Sequence, residues 1–195
     1  MKLLQLQKRV MALAGTVMTA YLVFHMLTNL SFFSAGAFEA FYDVYNQPWV
    51  RWPVLLIFLA SLAIHVKAAV TIRIKNSQAR TVAYKKHDKL HIPAPLVSLS
   101  VVLLLVFILV HIGQTLMLDT SEIRAAMLDW FASTGMLLFY LAGLFILAMH
   151  LLHSLVNVLQ TLGISSNTHK AIIISGVVVL MLGFASLPVY IWMTL

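Results

Sequence analysis

Five long apolar runs account for most of the chain: Val10 to Phe33, Trp52 to Ile72, Pro95 to Leu118, Phe131 to Gln160 and Ala171 to Met193. Each is close to or longer than the ~20 residues a helix needs to cross the hydrocarbon core of a bilayer. Short polar segments join them, with no repeat period and no low-complexity stretch. The pattern predicts an all-α membrane protein, a bundle of five transmembrane helices forming one domain over residues 1–195. The first run follows MKLLQLQKRV and is succeeded by Ala35-Gly36-Ala37, which together imitate a secretory signal and its cleavage site. That run exceeds the ~7–15 residues of a signal core, so it is expected to be a retained span.

Composition sharpens this. The 195 residues are 62% hydrophobic and 10% charged, with a mean hydropathy of +0.96. Such a chain could not clothe a soluble domain in polar surface, and it leaves no room for a separate catalytic domain. The net charge of +7 sits in short connections rather than on a face suited to nucleic acid. Lys2, Lys8 and Arg9 precede the first run. Arg73, Lys75, Arg80, Lys85, Lys86 and Lys89 follow the second, and Lys170 precedes the fifth. Alternating spans put these three segments on one side, leaving Arg51, Arg124, Glu39, Asp43, Asp119, Glu122 and Asp129 on the other. The positive-inside rule then makes the amino terminus cytoplasmic and the carboxyl terminus external. Trp49, Trp52, Trp130 and Trp192 fall near the external ends, where indoles favour the headgroup layer. The first external connection, Ser34 to Arg51, is long enough to fold over the bundle. The basic connection from Arg73 to Pro93 suits plain solvation, a polybasic segment facing membrane lipid, or the docking surface of a cytoplasmic partner. With no cysteine, disulfides, thiolate-held iron–sulfur clusters and c-type haem are excluded.

Histidine is the remaining chemistry. His25, His65, His111 and His150 each lie deep in a different span, where an imidazole is costly without a partner and marks a functional site. At the helical rise, His25 and His111 lie roughly 22 and 24 Å from the cytoplasmic edge, His65 and His150 roughly 12 and 15 Å. Two levels result, His25 with His111 in the outer half and His65 with His150 in the inner half. Two imidazoles at one depth on separate helices can hold a haem iron from both faces, and two such haems make an electron path. A lone intramembrane histidine is often a hydrogen-bonded packing residue; four in depth-matched pairs point to ligation. His153 shares the face and depth of His150 and stands as an alternative to it. Gly143, Gly113, Ala63, Ala68 and Ala69 would let a flat macrocycle approach the backbone. His87, His91 and His169 lie in basic connections and read as solvated. Lys67 either snorkels or meets a haem propionate.

The segments KRVMALAG leading into YLVFHMLTN, LASLAIHVKAAV, LLLVFILVHIGQT and FYLAGLFILAMHLLHSLVNVLQTLGI resemble the single-chain, five-helix cytochrome b anchor of the succinate dehydrogenase/fumarate reductase family. The resemblance covers essentially the whole chain. It implies two b haems, with His25 and His111 on the outer iron and His65 and His150 on the inner. It selects His150 over His153 by its distance from Thr161-Leu162-Gly163-Ile164 and makes His153 a supporting group; Lys67 would join it there if it meets a propionate rather than snorkels. It further implies a flavoprotein and an iron–sulfur subunit on the cytoplasmic side of a bacterial inner membrane, and a quinone substrate, menaquinone, near the outer haem. Quinone chemistry requires a proton partner within hydrogen-bond reach, and Glu39 in the first external connection is the candidate, its other reading being one of several solvated loop carboxylates. Two departures stand out. Ala148 and Met149 occupy positions where some members carry a carboxylate for proton movement, and Ala12 stands where serine is common. The alternatives are the cytochrome b anchor of another quinone-linked dehydrogenase and, from a different class, a histidine-lined metal transporter. A transporter would gather ionisable ligands at one midplane site, often on broken helices.

Overall fold

The computed structural model describes residues 2–34, 36–79, 94–161 and 166–195. Their regular structure is helical throughout, with no strand among the described residues. Seven α-helices follow in order: α1 (Lys2–Leu30), α2 (Ala37–Tyr45), α3 (Pro48–Gln78), α4 (Ala94–Leu116), α5 (Ile123–Ala132), α6 (Thr134–Thr161) and α7 (Asn167–Thr194). Of these, α1, α3, α4, α6 and α7 are long and apolar enough to cross a membrane, and α1 continues through a 3₁₀ turn, Ser31–Phe33. The expected spans are present, and most extend beyond their apolar runs into flanking polar sequence.

Two connections are more structured than the hydropathy pattern suggests. Residues 34–51 contain α2 and the first turn of α3, entered through Gly36 at φ +75°, a conformation that a residue bearing Cβ rarely adopts. Pro48 opens α3, where a missing N–H costs no helical bond. The fourth span does not begin at Phe131. Asp119 Oδ1 accepts from the Ser121 backbone N–H (2.9 Å) and hydroxyl (2.7 Å), a turn that launches α5. That helix carries Phe131 and stops at Ser133, whose backbone is extended. The span proper, α6, starts one residue later. Ser166 caps α7, its hydroxyl accepting from the His169 N–H at 3.2 Å.

The chain divides into two compact units. The first, Met1–His25 with Asp43–His91, pairs α1 and α3 antiparallel: Lys75 Nζ donates to Gln7 Oε1 (3.1 Å) near one end, and Tyr21 meets Phe58 (5.0 Å) toward the other. Among its described residues Ala14, Leu62, Ala68 and Ile72 are buried.

The second unit, Met26–Tyr42 with Ile92–Leu195, is organised by α6 against α7. Leu137, Tyr140, Leu144, Leu147 and Leu151 on α6, and Val177, Leu180, Phe184, Leu187 and Ile191 on α7, are buried at alternating spacings of three and four. That is the seam of two helices crossing at a shallow angle. Helix α4 lies against α6, and α5 against both α6 and α7. At one end Phe32, Phe38, Phe131, Tyr140, Leu187 and Ile191 form an aromatic-rich core. Elsewhere large apolar residues such as Leu13, Leu56, Phe145 and Leu182 stand exposed, as helices facing hydrocarbon require.

Candidate functional site

His65 projects from α3 onto α1. Its Nδ1 lies 3.1 Å from the backbone oxygen of Met11. A carbonyl only accepts, so Nδ1 carries the proton and the lone pair of the neutral ring sits on Nε2. Gly15 stands one turn beyond Met11 on the same face of α1. A Cβ there would come within 3.4 Å of both Cε1 and Nδ1 of the ring. Met11 and Gly15 together form a seat that accepts the imidazole edge and aligns it.

His111, on α4, is held by a side-chain chain. Tyr140 Oη donates to Gln114 Oε1 at 2.9 Å, and His111 Nδ1 is 3.1 Å from the same hydroxyl. Because the phenol proton is directed to the amide oxygen, the His111 bond has Nδ1–H as donor, and Nε2 again carries the lone pair. Gln114 Nε2 reaches Met136 Sδ at 3.6 Å. The Tyr140 ring is 9% exposed and set edge-on among Phe107, His111, Phe131 and Phe139. Phe107, one turn before His111, lies nearly parallel to the imidazole (6.2 Å, 13°). A Cβ on Gly143 would overlap the Phe107 ring. Gly143 thus makes room for an aromatic ring of α4, whereas Gly113 faces open space.

The other histidines differ in setting. His25 stacks on Tyr21 at 5.7 Å and 8°. His150 is half-buried on α6, beside the buried Leu151. His153 is exposed, and its Nε2 accepts from Asn157 Nδ2 at 3.0 Å. In that bond Nε2 is the acceptor, so Nδ1 carries the proton, as in His65 and His111. His169 is exposed and bonded through Nδ1 to the capping hydroxyl of Ser166. His87, His91, most of the basic connection and Leu162-Gly163-Ile164 lie outside the described residues. Lys67 is exposed on α3.

Glu39, on α2, is bound by Arg124 Nε of α5. The Arg124 guanidinium lies 4.1 Å from the Phe32 ring centroid and 5.1 Å from that of Phe38, and its Nη2 donates to the Phe32 carbonyl at 3.3 Å. The hydrogen bond from Arg124 holds the Glu39 carboxyl below its ordinary value of 4.5. Glu39 is thus a clamped anion, not a freely solvated carboxylate.

Met11, Gly15, Gln114, Tyr140 and Asn157 were not singled out by sequence reasoning. Gln114 and Asn157 had a legible signal, being amides three and four residues beyond a histidine within an apolar run. Among the described residues no group of three or more His, Asp or Glu side chains converges as a bare metal ion would require. No family model, curated protein or solved structure matches this chain.

Proposed function

We propose that the chain is the membrane anchor and electron-transfer subunit of a succinate:quinone oxidoreductase, carrying two b haems ligated by His25 with His111 and by His65 with His150. One observation supports it most. His65 and His111 sit on different apolar helices, and both are held through Nδ1–H so that Nε2 is the basic nitrogen. This is the donor chemistry an axial haem ligand needs, with the second nitrogen hydrogen-bonded to fix ring and tautomer. Held by these four histidines, such haems would supply single-electron transfer.

The chain's residues do the rest. Met11 and Gly15 orient His65, Tyr140 orients His111, and the lipid-facing helices keep water from the imidazoles. By resemblance, the iron–sulfur and flavoprotein subunits dock on the cytoplasmic side of a bacterial inner membrane, and menaquinone reacts near the outer pair. Glu39 is the carboxylate proposed for proton exchange with the quinone, and it must exchange Arg124 for that partner. The dehydrogenase-anchor alternative shares the same ligand chemistry and differs only in the soluble partners. The metal-transporter reading is less favoured because the histidines fall at two levels and no carboxylate lies in a span, whereas a transporter gathers ionisable ligands at one midplane site.

Pyridine haemochrome assay of the purified chain should return two b haems, both low-spin in the native protein. His25→Ala and His111→Ala should disturb one haem, His65→Ala and His150→Ala the other, while His153→Ala leaves both irons six-coordinate. A single haem, or a shared haem for His25 and His65, would count against the assignment. Copurification with succinate–dye reductase activity separates this complex from other quinone-linked enzymes.

A further inference from the structure

The polar chain on α4 and α6 carries an inference that goes beyond ligation and rests on His111 as a haem ligand. Burying a phenol hydroxyl inside an apolar span is costly unless it is satisfied, and phenylalanine would fill the same ring space without that cost. Tyr140 is nevertheless there, its ring gripped edge-on by three phenylalanines so that Oη meets His111 on one side and Gln114 on the other. The direction of the chain follows from its end. Gln114 offers Tyr140 its carbonyl oxygen and turns its amide nitrogen to Met136 Sδ, so the phenol proton points away from the imidazole.

We propose that Tyr140 and Gln114 are positioning residues that lock His111 in the Nδ1–H tautomer and lower the redox potential of the iron it ligates. The hydrogen bond from Nδ1–H to the phenol oxygen makes Nε2 a stronger donor, which favours the ferric state. Gln114 acts through Tyr140. Without the amide oxygen the phenol proton is released to turn toward Nδ1, which would favour the opposite tautomer.

The test has an arm that needs no haem. In nanodiscs, the haem-free chain labelled with ¹⁵N-histidine should show His111 protonated at Nδ1, identified by loss of its resonances in His111→Gln. Tyr140→Phe and Gln114→Leu should each convert it to a tautomer mixture or to Nε2–H. In the loaded protein both variants should keep two haems, raise one midpoint potential and leave the other unchanged. Packing alone predicts no tautomer change and no selective shift, because Tyr140→Phe preserves the ring. An unchanged tautomer, or unchanged potentials with both haems bound, overturns the proposal. If the chain binds no haem at all, the ligand reading and the potential claim fall together, whereas a correct tautomer lock that leaves the potentials unmoved sinks this proposal alone.

Discussion

His65 owes its setting to two residues a turn apart on α1. The Met11 carbonyl fixes the protonated nitrogen, and the ring lies close against Gly15, where only a small side chain fits beside it. The 3.4 Å that a Cβ would leave is ordinary van der Waals contact, so Gly15→Ala should be tolerated. It should even gain roughly 1 kcal/mol of helix propensity. Gly15→Leu cannot be accommodated without moving the ring or the helix, and overpacking of this kind costs about 1–3 kcal/mol. The leucine variant should therefore lose, or turn high-spin, the haem assigned to His65, and the alanine variant should keep it; optical spectra of both at equal protein concentration decide the matter. None of this was legible beforehand. The histidines announced themselves because an imidazole in hydrocarbon is rare, but a backbone carbonyl and a glycine in an apolar helix carry no chemical label.

Among the elements, α2 and α5 behave unlike the spans. Each is held by side chains at one clamp, where Arg124 of α5 binds Glu39 of α2 and lies over Phe32 and Phe38. The folded-state acidity of Glu39 is raised, its pKa lying below the ordinary 4.5. The pair's contribution is thus present above that value and is lost as pH falls through the lower folded value. Glu39→Gln should lower the melting temperature slightly at pH 7, with the gap to the parent closing on acidification below about 4.5. Arg124→Lys should cost more at pH 7, because lysine forfeits the planar contact with Phe32 and the bond to its carbonyl. If Glu39 also serves the quinone, Glu39→Gln abolishes quinone turnover while sparing both haems. Clamp and short helices escaped a hydropathy reading, since Phe131 continues an apolar run straight through the break at Ser133. The buried seam of α6 and α7 was hidden for a related reason. In a helix whose every face is apolar, hydropathy cannot tell the packed stripe from the lipid-facing one.

For the whole molecule, the number of crossings decides what the charge pattern means. Helices α2 and α5 have 9 and 10 residues, which at the helical rise span about 14 and 15 Å, half of a ~30 Å hydrocarbon core. They cannot cross, so among the described residues the five long helices alone set the parity, and both short helices fall in the connections poor in lysine and arginine. The division of the histidines into two levels does not depend on which way the protein faces. His25 and His111 lie nearer the acidic connections, and His65 and His150 nearer the basic ones, in either orientation. In the proposed complex, orientation decides only which pair would meet an iron–sulfur partner, and the positions of the lysines and arginines favour His65 and His150 for that role. A reporter that is active only in the cytoplasm should work when fused after Gln78 and fail when fused at Leu195; one active only outside should do the reverse. Reversed signals would keep both proposed ligand pairs and transfer the proposed partner-facing role to His25 and His111. Equal signals at the two fusions would mean that an even number of helices crosses between them, and the five-span bundle would have to be redrawn.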